Sequence, residues 1–141
     1  MKRTLLTLFI ALCAFTVKAQ SDTIANKIYL ATDKAPEFPG GLKEFATFLA
    51  KNIRYPVKSR TRGKQGRVLV TFVIEKDGQI TNSKVIRPTV DDLDAEALRV
   101  VNLSPKWNPG IVNGEPVRTQ FTYPINFVLP MSKALTFFGS N

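Results

Sequence analysis

The chain predicts an α+β domain: a three-stranded antiparallel/mixed sheet backed by two helices, in the order α-β-β-α-β. Three observations lead there. Apolar residues recur at helical spacing in two places, first Leu42, Phe45, Phe48, Leu49 and Ile53, then Leu93, Ala97, Val100 and Val101. Two β-rich runs, Arg67–Glu75 and Gln79–Arg87, flank Lys76-Asp77-Gly78, and Asp-Gly suits a hairpin turn that needs positive φ. A last run, Val117–Leu129, alternates with period two. With 141 residues, 44% of them hydrophobic, there is material for one packed domain plus extensions.

Each element has a local reason. Pro36, Pro39, Gly40 and Gly41 break the chain before the first helix, Leu42–Asn52. Tyr55-Pro56 ends that helix, because the residue before a proline avoids helical geometry. The first strand is apolar on both faces, as a central strand should be. The second is more polar, with Ile80, Asn82, Lys84 and Ile86 alternating against Thr81, Ser83, Val85 and Arg87. Asp91 and Asp92 are N-cap candidates for a second helix near Leu93–Asn102, and Glu96 adds acid near its start. Pro105 ends it, and a Pro/Asn/Gly-rich loop runs to Pro116 with Trp107 inside. We read Trp107 as a plug under that loop, the alternative being a stacking platform for sugar or peptide. The third strand places Val117, Thr119, Phe121, Tyr123, Ile125, Phe127 and Leu129 on one face. Pro124 cannot donate to a ladder, so this strand belongs at a sheet edge or bulges there.

The termini read differently. Met1-Lys2-Arg3 is a basic start, Leu5–Val17 a short apolar run, and Val17-Lys18-Ala19 a small-residue cleavage site. Residues 1–19 are therefore expected to be a signal peptide cleaved after Ala19, which leaves no transmembrane helix in the mature chain. Residues 20–39 read as a leader, in which Ile28, Tyr29 and Leu30 form a short strand or simply lie across the domain. Residues 40–130 read as the domain and 131–141 as a tail. Cys13 is the lone cysteine and lies in the apolar run, and the chain has no histidine. Thiolate catalysis, imidazole catalysis and Cys/His zinc sites are thereby excluded from the mature chain. The acids at Asp91, Asp92, Asp94 and Glu96 are better explained by a helix start than by a carboxylate pair. No phosphate loop or calcium loop is present. The reading is of a chain that is not an enzyme, with no catalytic, metal or cofactor residues.

The net charge of +9 is unevenly spread. Arg54, Lys58, Arg60, Arg62, Lys64 and Arg67 crowd one segment, and no acidic residue lies between Glu44 and Glu75. Such a run is most simply a solvated loop; its alternative is a patch for anionic envelope glycan or lipid. An exported protein seldom meets nucleic acid, so none is expected as a partner.

In order, the chain carries Tyr55-Pro56, the strand Gly66–Ile74, Lys76-Asp77-Gly78-Gln79-Ile80 and Leu93–Leu98. Pro105-Lys106-Trp107-Asn108-Pro109-Gly110, Asn113–Val117 and Tyr123–Phe127 follow. This ordered set resembles the C-terminal domain of the TonB energy-transducer family, over Leu42–Leu129. The resemblance implies a three-stranded sheet backed by two helices. It also implies a partner, a TonB-dependent outer-membrane receptor of a Gram-negative bacterium, one of whose periplasmic segments adds itself to the outer edge of the third strand. Carried onto this sequence, the binding element is the backbone of Arg118, Thr119, Gln120, Phe121, Thr122, Tyr123, Ile125, Asn126 and Phe127. The turn at Arg54, Tyr55 and Pro56 is a second contact, with Arg54 standing where the family often has a polar uncharged residue. A cleavable signal in place of an anchor helix and Pro-rich spacer points to a free-standing periplasmic domain, serving as adaptor, regulator or competitor in envelope transport. A second copy of the chain, pairing through the third strand as a homodimer, is the competing occupant of that edge.

Overall fold

The computed structural model describes residues 25–130. The predicted signal peptide and tail lie outside them. In chain order the elements are β1 (Ile28–Tyr29), α1 (Leu42–Asn52), α2 (Val57–Thr61), β2 (Gly66–Ile74) and β3 (Ile80–Arg87). Then come α3 (Asp91–Asn102), β4 (Gly110–Val112) and β5 (Glu115–Phe127). The sheet runs β1-β5-β2-β3, with β4 also paired to β5. Its body is the expected three strands, β5, β2 and β3, antiparallel to their neighbours. The fold class is α+β, as the sequence predicts.

β2 is central because it is apolar on both faces, and every residue from Val70 to Ile74 is buried. Its ladder with β5 runs without a break from Gly66 opposite Phe127 to Ile74 opposite Thr119. On one face Val68, Val70, Phe72 and Ile74 meet Ile125 and Phe127, and α1 and α3 close this layer with Phe45, Leu49, Leu93, Ala97, Val100 and Val101. Trp107 is 3% exposed and packs on Phe45, Phe72, Phe121 and Phe38 at centroid distances of 4.9, 5.7, 5.2 and 5.6 Å. Its Nε1–H donates to Ser104 Oγ at 2.9 Å, so the indole is buried without an orphaned donor. The tryptophan is thus a core plug.

The backbone of Trp107 is pinned as firmly as its ring. Its N–H donates to Gly78 O at 2.9 Å. Gly78 has φ 87, and a Cβ there would land on the Trp107 carbonyl oxygen. The β2–β3 turn therefore requires glycine twice, for its left-handed backbone and for the close approach of the loop.

Four local readings need correction. The basic run contains α2, which the sequence presents as a loop; it is too short to show helical periodicity and holds its end by bonds from Arg62 N to Lys58 O and Lys64 N to Ser59 O. The loop before Pro116 contains β4, which pairs with the start of β5 across the Asn113-Gly114 turn. The N-cap of α3 is Val90, with Asp91 and Asp92 inside the first turn. Asp94 instead reaches back to accept from Thr89 N at 2.9 Å and Thr89 Oγ1 at 2.8 Å. Lastly, β3 does not alternate cleanly: Asn82 has φ 50 and the register with β2 shifts, so Ile80 and Val85 both pack against the core.

The leader is stitched to the body. Lys34 and Glu37 bridge to Ile111 and Asn108, and Phe38 is buried in the core.

Phe45→Ala should destabilise the domain by about 3–5 kcal/mol, as loss of a fully buried phenyl ring does. Gly78→Ala should cost more than the about 1–2 kcal/mol of left-handed backbone alone, since the new methyl meets backbone that cannot rotate away. Urea unfolding midpoints measure both; a near-wild-type Gly78→Ala would contradict the packing of Trp107 on this turn.

Candidate functional site

Proline 124 and the alternating pattern place β5 at the side of the sheet, and its two sides are unequal. One side is paired to β2 over Thr119–Phe127. On the other, β1 runs parallel to β5, with Ile28 opposite Arg118 and Tyr29 opposite Thr119. β4 covers only Glu115–Val117. From Gln120 to Phe127 no second strand is paired to β5 among the described residues.

The side chains of this segment divide by parity. Ile125 and Phe127 are buried, and Phe121 and Tyr123 pack against the core, Tyr123 edge-on to Phe45 at 4.9 Å. Gln120, Thr122 and Asn126 are exposed. The apolar half is committed to the core, so what remains on offer is main chain plus three polar side chains. The opposite edge of the sheet, β3, is less inviting: it is bulged at Asn82 and carries exposed Lys84 and Arg87. Both features discourage strand pairing.

Arg118 and Thr119 are not open. Arg118 Nε and Nη2 donate to Glu75 Oε2 and Oε1 at 2.7 and 3.0 Å, a two-point ion pair, and its Nη1 donates to Asn26 O at 2.9 Å. One guanidinium thus ties the end of β2, the start of β5 and the leader. Thr119 is 3% exposed. Thr81 adds a further hydrogen bond to Glu75. The Arg118 hydrogen bond, foremost, holds the Glu75 carboxyl below its ordinary pKa.

Arg54, Tyr55 and Pro56 lie at the far end of the same edge. Tyr55 packs edge-on to Phe127 with centroids 5.8 Å apart, and its hydroxyl donates to Lys64 O. Arg54 N donates to Glu96 Oε1 at 2.6 Å. Arg99 completes the corner by donating to both Glu96 oxygens, at 2.6 and 2.8 Å, and to Asn52 O at 2.8 Å. The last bond satisfies a carbonyl at the end of α1. The Arg99 hydrogen bond holds Glu96 below its ordinary pKa. The turn and α3 together line a cleft of about 490 Å³. The structure therefore brings the two sequence-predicted patches together through Tyr55 and Phe127.

Sequence reasoning missed the Glu75–Arg118 clamp, whose partners are 43 residues apart, and the role of Glu96. The Glu96–Arg99 pair was visible as an i,i+3 spacing. Among the described residues no group of three His, Cys, Asp or Glu side chains is placed to hold a metal ion, and no helix is long and apolar enough to cross a membrane.

Comparison with known proteins decides what this edge belongs to. The family described as the Gram-negative bacterial TonB protein C-terminal matches residues 51–129. The chain belongs to the TonB C-terminal family. The TonB C-terminal domain is a non-enzymatic protein-interaction domain. Over 77 residues the chain is 38% identical to Protein TonB of Helicobacter pylori strain J99, which covers 50% of this chain and 28% of that protein. Over 52 residues it is 38% identical to Protein TonB of Haemophilus influenzae strain KW20, covering 36% of this chain and 19% of that protein. The chain thus spans under a third of the length of the curated relatives it matches. The solution structure of the Helicobacter pylori TonB-CTD, residues 179–285, superposes with a TM-score of 0.50 at 32% identity, over 63% of this chain and 80% of that one. The TonB-family match includes the Arg54–Pro56 turn and all of β5 but not β1 or most of α1.

Two outcomes follow. Glu75 and Glu96 have folded-state pKa values below the unfolded value of about 4.5, so their stabilisation is present above that pH and is lost as pH falls through the folded values. Between pH 5 and 3 the melting temperature should therefore fall less in Glu75→Gln and Glu96→Gln than in the wild type, as read by thermal melts across that range. Separately, Arg118→Ala should release the leader: amide exchange at Ile28 and Tyr29 should accelerate at least tenfold while Val70 and Phe72 stay protected. Unchanged exchange at β1 would show that its two ladder pairs hold it without the arginine.

Proposed function

We propose that this TonB C-terminal domain serves transport across the envelope by accepting an extended segment of a TonB-dependent outer-membrane receptor as an additional strand on β5. The observation that carries the reading is the outer edge of β5 from Gln120 to Phe127, unpaired among the described residues and rigidly backed by β2. Main-chain hydrogen bonds along this edge supply affinity, and contacts to Gln120, Thr122 and Asn126 supply selectivity. The Arg54–Pro56 turn meets the segment at the Phe127 end, and the basic run from Arg54 to Arg67 steers an acidic partner towards it. The place of action is the periplasm, after export by the N-terminal signal. Support comes from family membership together with a geometry that leaves one strand edge open and blunts the other.

Synthetic peptides from the periplasmic N-terminal segments of the host's receptors test this when titrated into the isotope-labelled chain. Amide shifts should concentrate between Gln120 and Phe127. Peptides N-methylated at alternate residues should lose about tenfold in affinity in one phase and little in the other, since each ladder bond contributes about 0.5–1.5 kcal/mol. Shifts lying elsewhere, or a loss independent of phase, would reject strand addition. A midpoint that weakens with rising protein concentration would mean that a second copy competes for the edge.

A further inference from the structure

We propose that the cavity between α2 and the start of α3 is a binding site for a zwitterionic phospho-amine headgroup, of which phosphoethanolamine is the smallest form. The cavity measures about 260 Å³, several times the roughly 30 Å³ share of one water molecule. It involves no residue of β5, and the inference does not rest on the peptide-binding reading.

Two walls of opposite charge face this space. Lys58, Arg62 and Lys64 supply one, and Asp91 and Asp92 the other. Among the described residues none of these five side chains makes a salt bridge or a side-chain hydrogen bond, although the two ion pairs that do form, Glu96–Arg99 and Glu75–Arg118, lie elsewhere. Ser59 also lines the cavity. It is 2% exposed, and its hydroxyl is the buried side-chain polar atom left without a partner among the described residues. A buried hydroxyl without a partner costs stability, so a group that completes it on binding gains that much. The first turn of α3 adds N–H groups for which Val90 provides no side-chain cap.

The charge arrangement selects the ligand class. A phosphate fits the three cations, the Ser59 hydroxyl and the start of α3. A lone phosphate would also meet the carboxylates of Asp91 and Asp92 as like charges. An ammonium two carbons from the phosphate turns those carboxylates into partners, and both walls are then satisfied by one small molecule. The scaffold is preorganised for it: the Tyr55 hydroxyl and Ser59 O hold Lys64 through its carbonyl and N–H, and α2 packs on α3.

The test titrates the full chain with phosphoethanolamine and with inorganic phosphate, and sediments it with phosphatidylcholine vesicles containing or lacking phosphatidylethanolamine. Phosphoethanolamine should bind saturably, shift the amides of Ser59 and Asp92, and bind at least tenfold more tightly than inorganic phosphate. Arg62→Gln and Ser59→Ala should each weaken it about tenfold while leaving the amide spectrum of β2 and β5 unchanged. The double variant Asp91→Asn, Asp92→Asn should erase the preference over inorganic phosphate. Sedimentation that requires phosphatidylethanolamine identifies the source as a lipid headgroup; binding of the soluble ester without sedimentation identifies a free ester, and either supports the site. Absence of saturable binding in both forms would overturn the proposal. So would equal binding of phosphate and phosphoethanolamine, or Arg62→Gln binding as the wild type does.

Discussion

The nine-pair ladder between β2 and β5 is the constraint on which the rest depends. It joins segments about fifty residues apart in sequence, and it does so without a bulge even though Pro124 stands within it opposite Leu69. An unbroken ladder fixes parity along β5 from Thr119 to Phe127. Thr119, Ile125 and Phe127 are therefore buried while Gln120, Thr122 and Asn126 are exposed, because a one-residue slip would exchange the two sets. The same ladder occupies one side of β5 from Thr119 to Phe127, and so decides that any further strand along that stretch must come to the other.

The aromatic cluster around Trp107 packs that ladder against the helices. The indole touches rings from the leader (Phe38), α1 (Phe45), β2 (Phe72) and β5 (Phe121). Four chain segments are thus held by one side chain, and its backbone is held in turn by Gly78 at the β2–β3 turn. Burial of this kind is worth more than its area, since edge-on ring pairs add about 0.5–1.5 kcal/mol each. Ordering the Trp107 loop consequently orders the core, and the open edge is presented by a rigid body.

Elements whose signal is local were legible in the sequence. Leu42–Asn52 has both its helical stripe and a proline to end it, and Asp77-Gly78 marks its hairpin because glycine alone suits the turn. β5 was legible from period two and Pro124. Hidden elements are those whose cause is tertiary. α2 is five residues of mostly polar side chains, stabilised by Tyr55 and by packing on α3 rather than by propensity. β4 exists because β5 offers it a partner across Asn113-Gly114. Asn82 looked like one more residue of an alternating strand, and only the shifted register with β2 reveals it as a bulge. The candidate edge followed the same rule: its strand was readable, but the clamp that closes its first two positions joins Glu75 to Arg118 and had no local trace.

That clamp explains why the open segment begins where it does. A long flat edge invites uncontrolled pairing, and proteins blunt such edges by charge, bulge or cover. β3 uses the first two, through Lys84 and Asn82. β5 uses cover at one end: β1 supplies two parallel pairs, and Arg118, anchored to Glu75 by two bonds, holds the leader carbonyl of Asn26. Two ladder pairs alone would fray, since so short a strand has little cooperativity to hold it. A partly buried ion pair that also grips the leader makes the cover stable, and among the described residues it leaves β5 without a second strand from Gln120 to Phe127. The length of exposed edge is then set by where Arg118 sits on β5. Its partner Glu75 is the residue that immediately follows β2, so the central ladder that opens the edge also fixes where the edge begins.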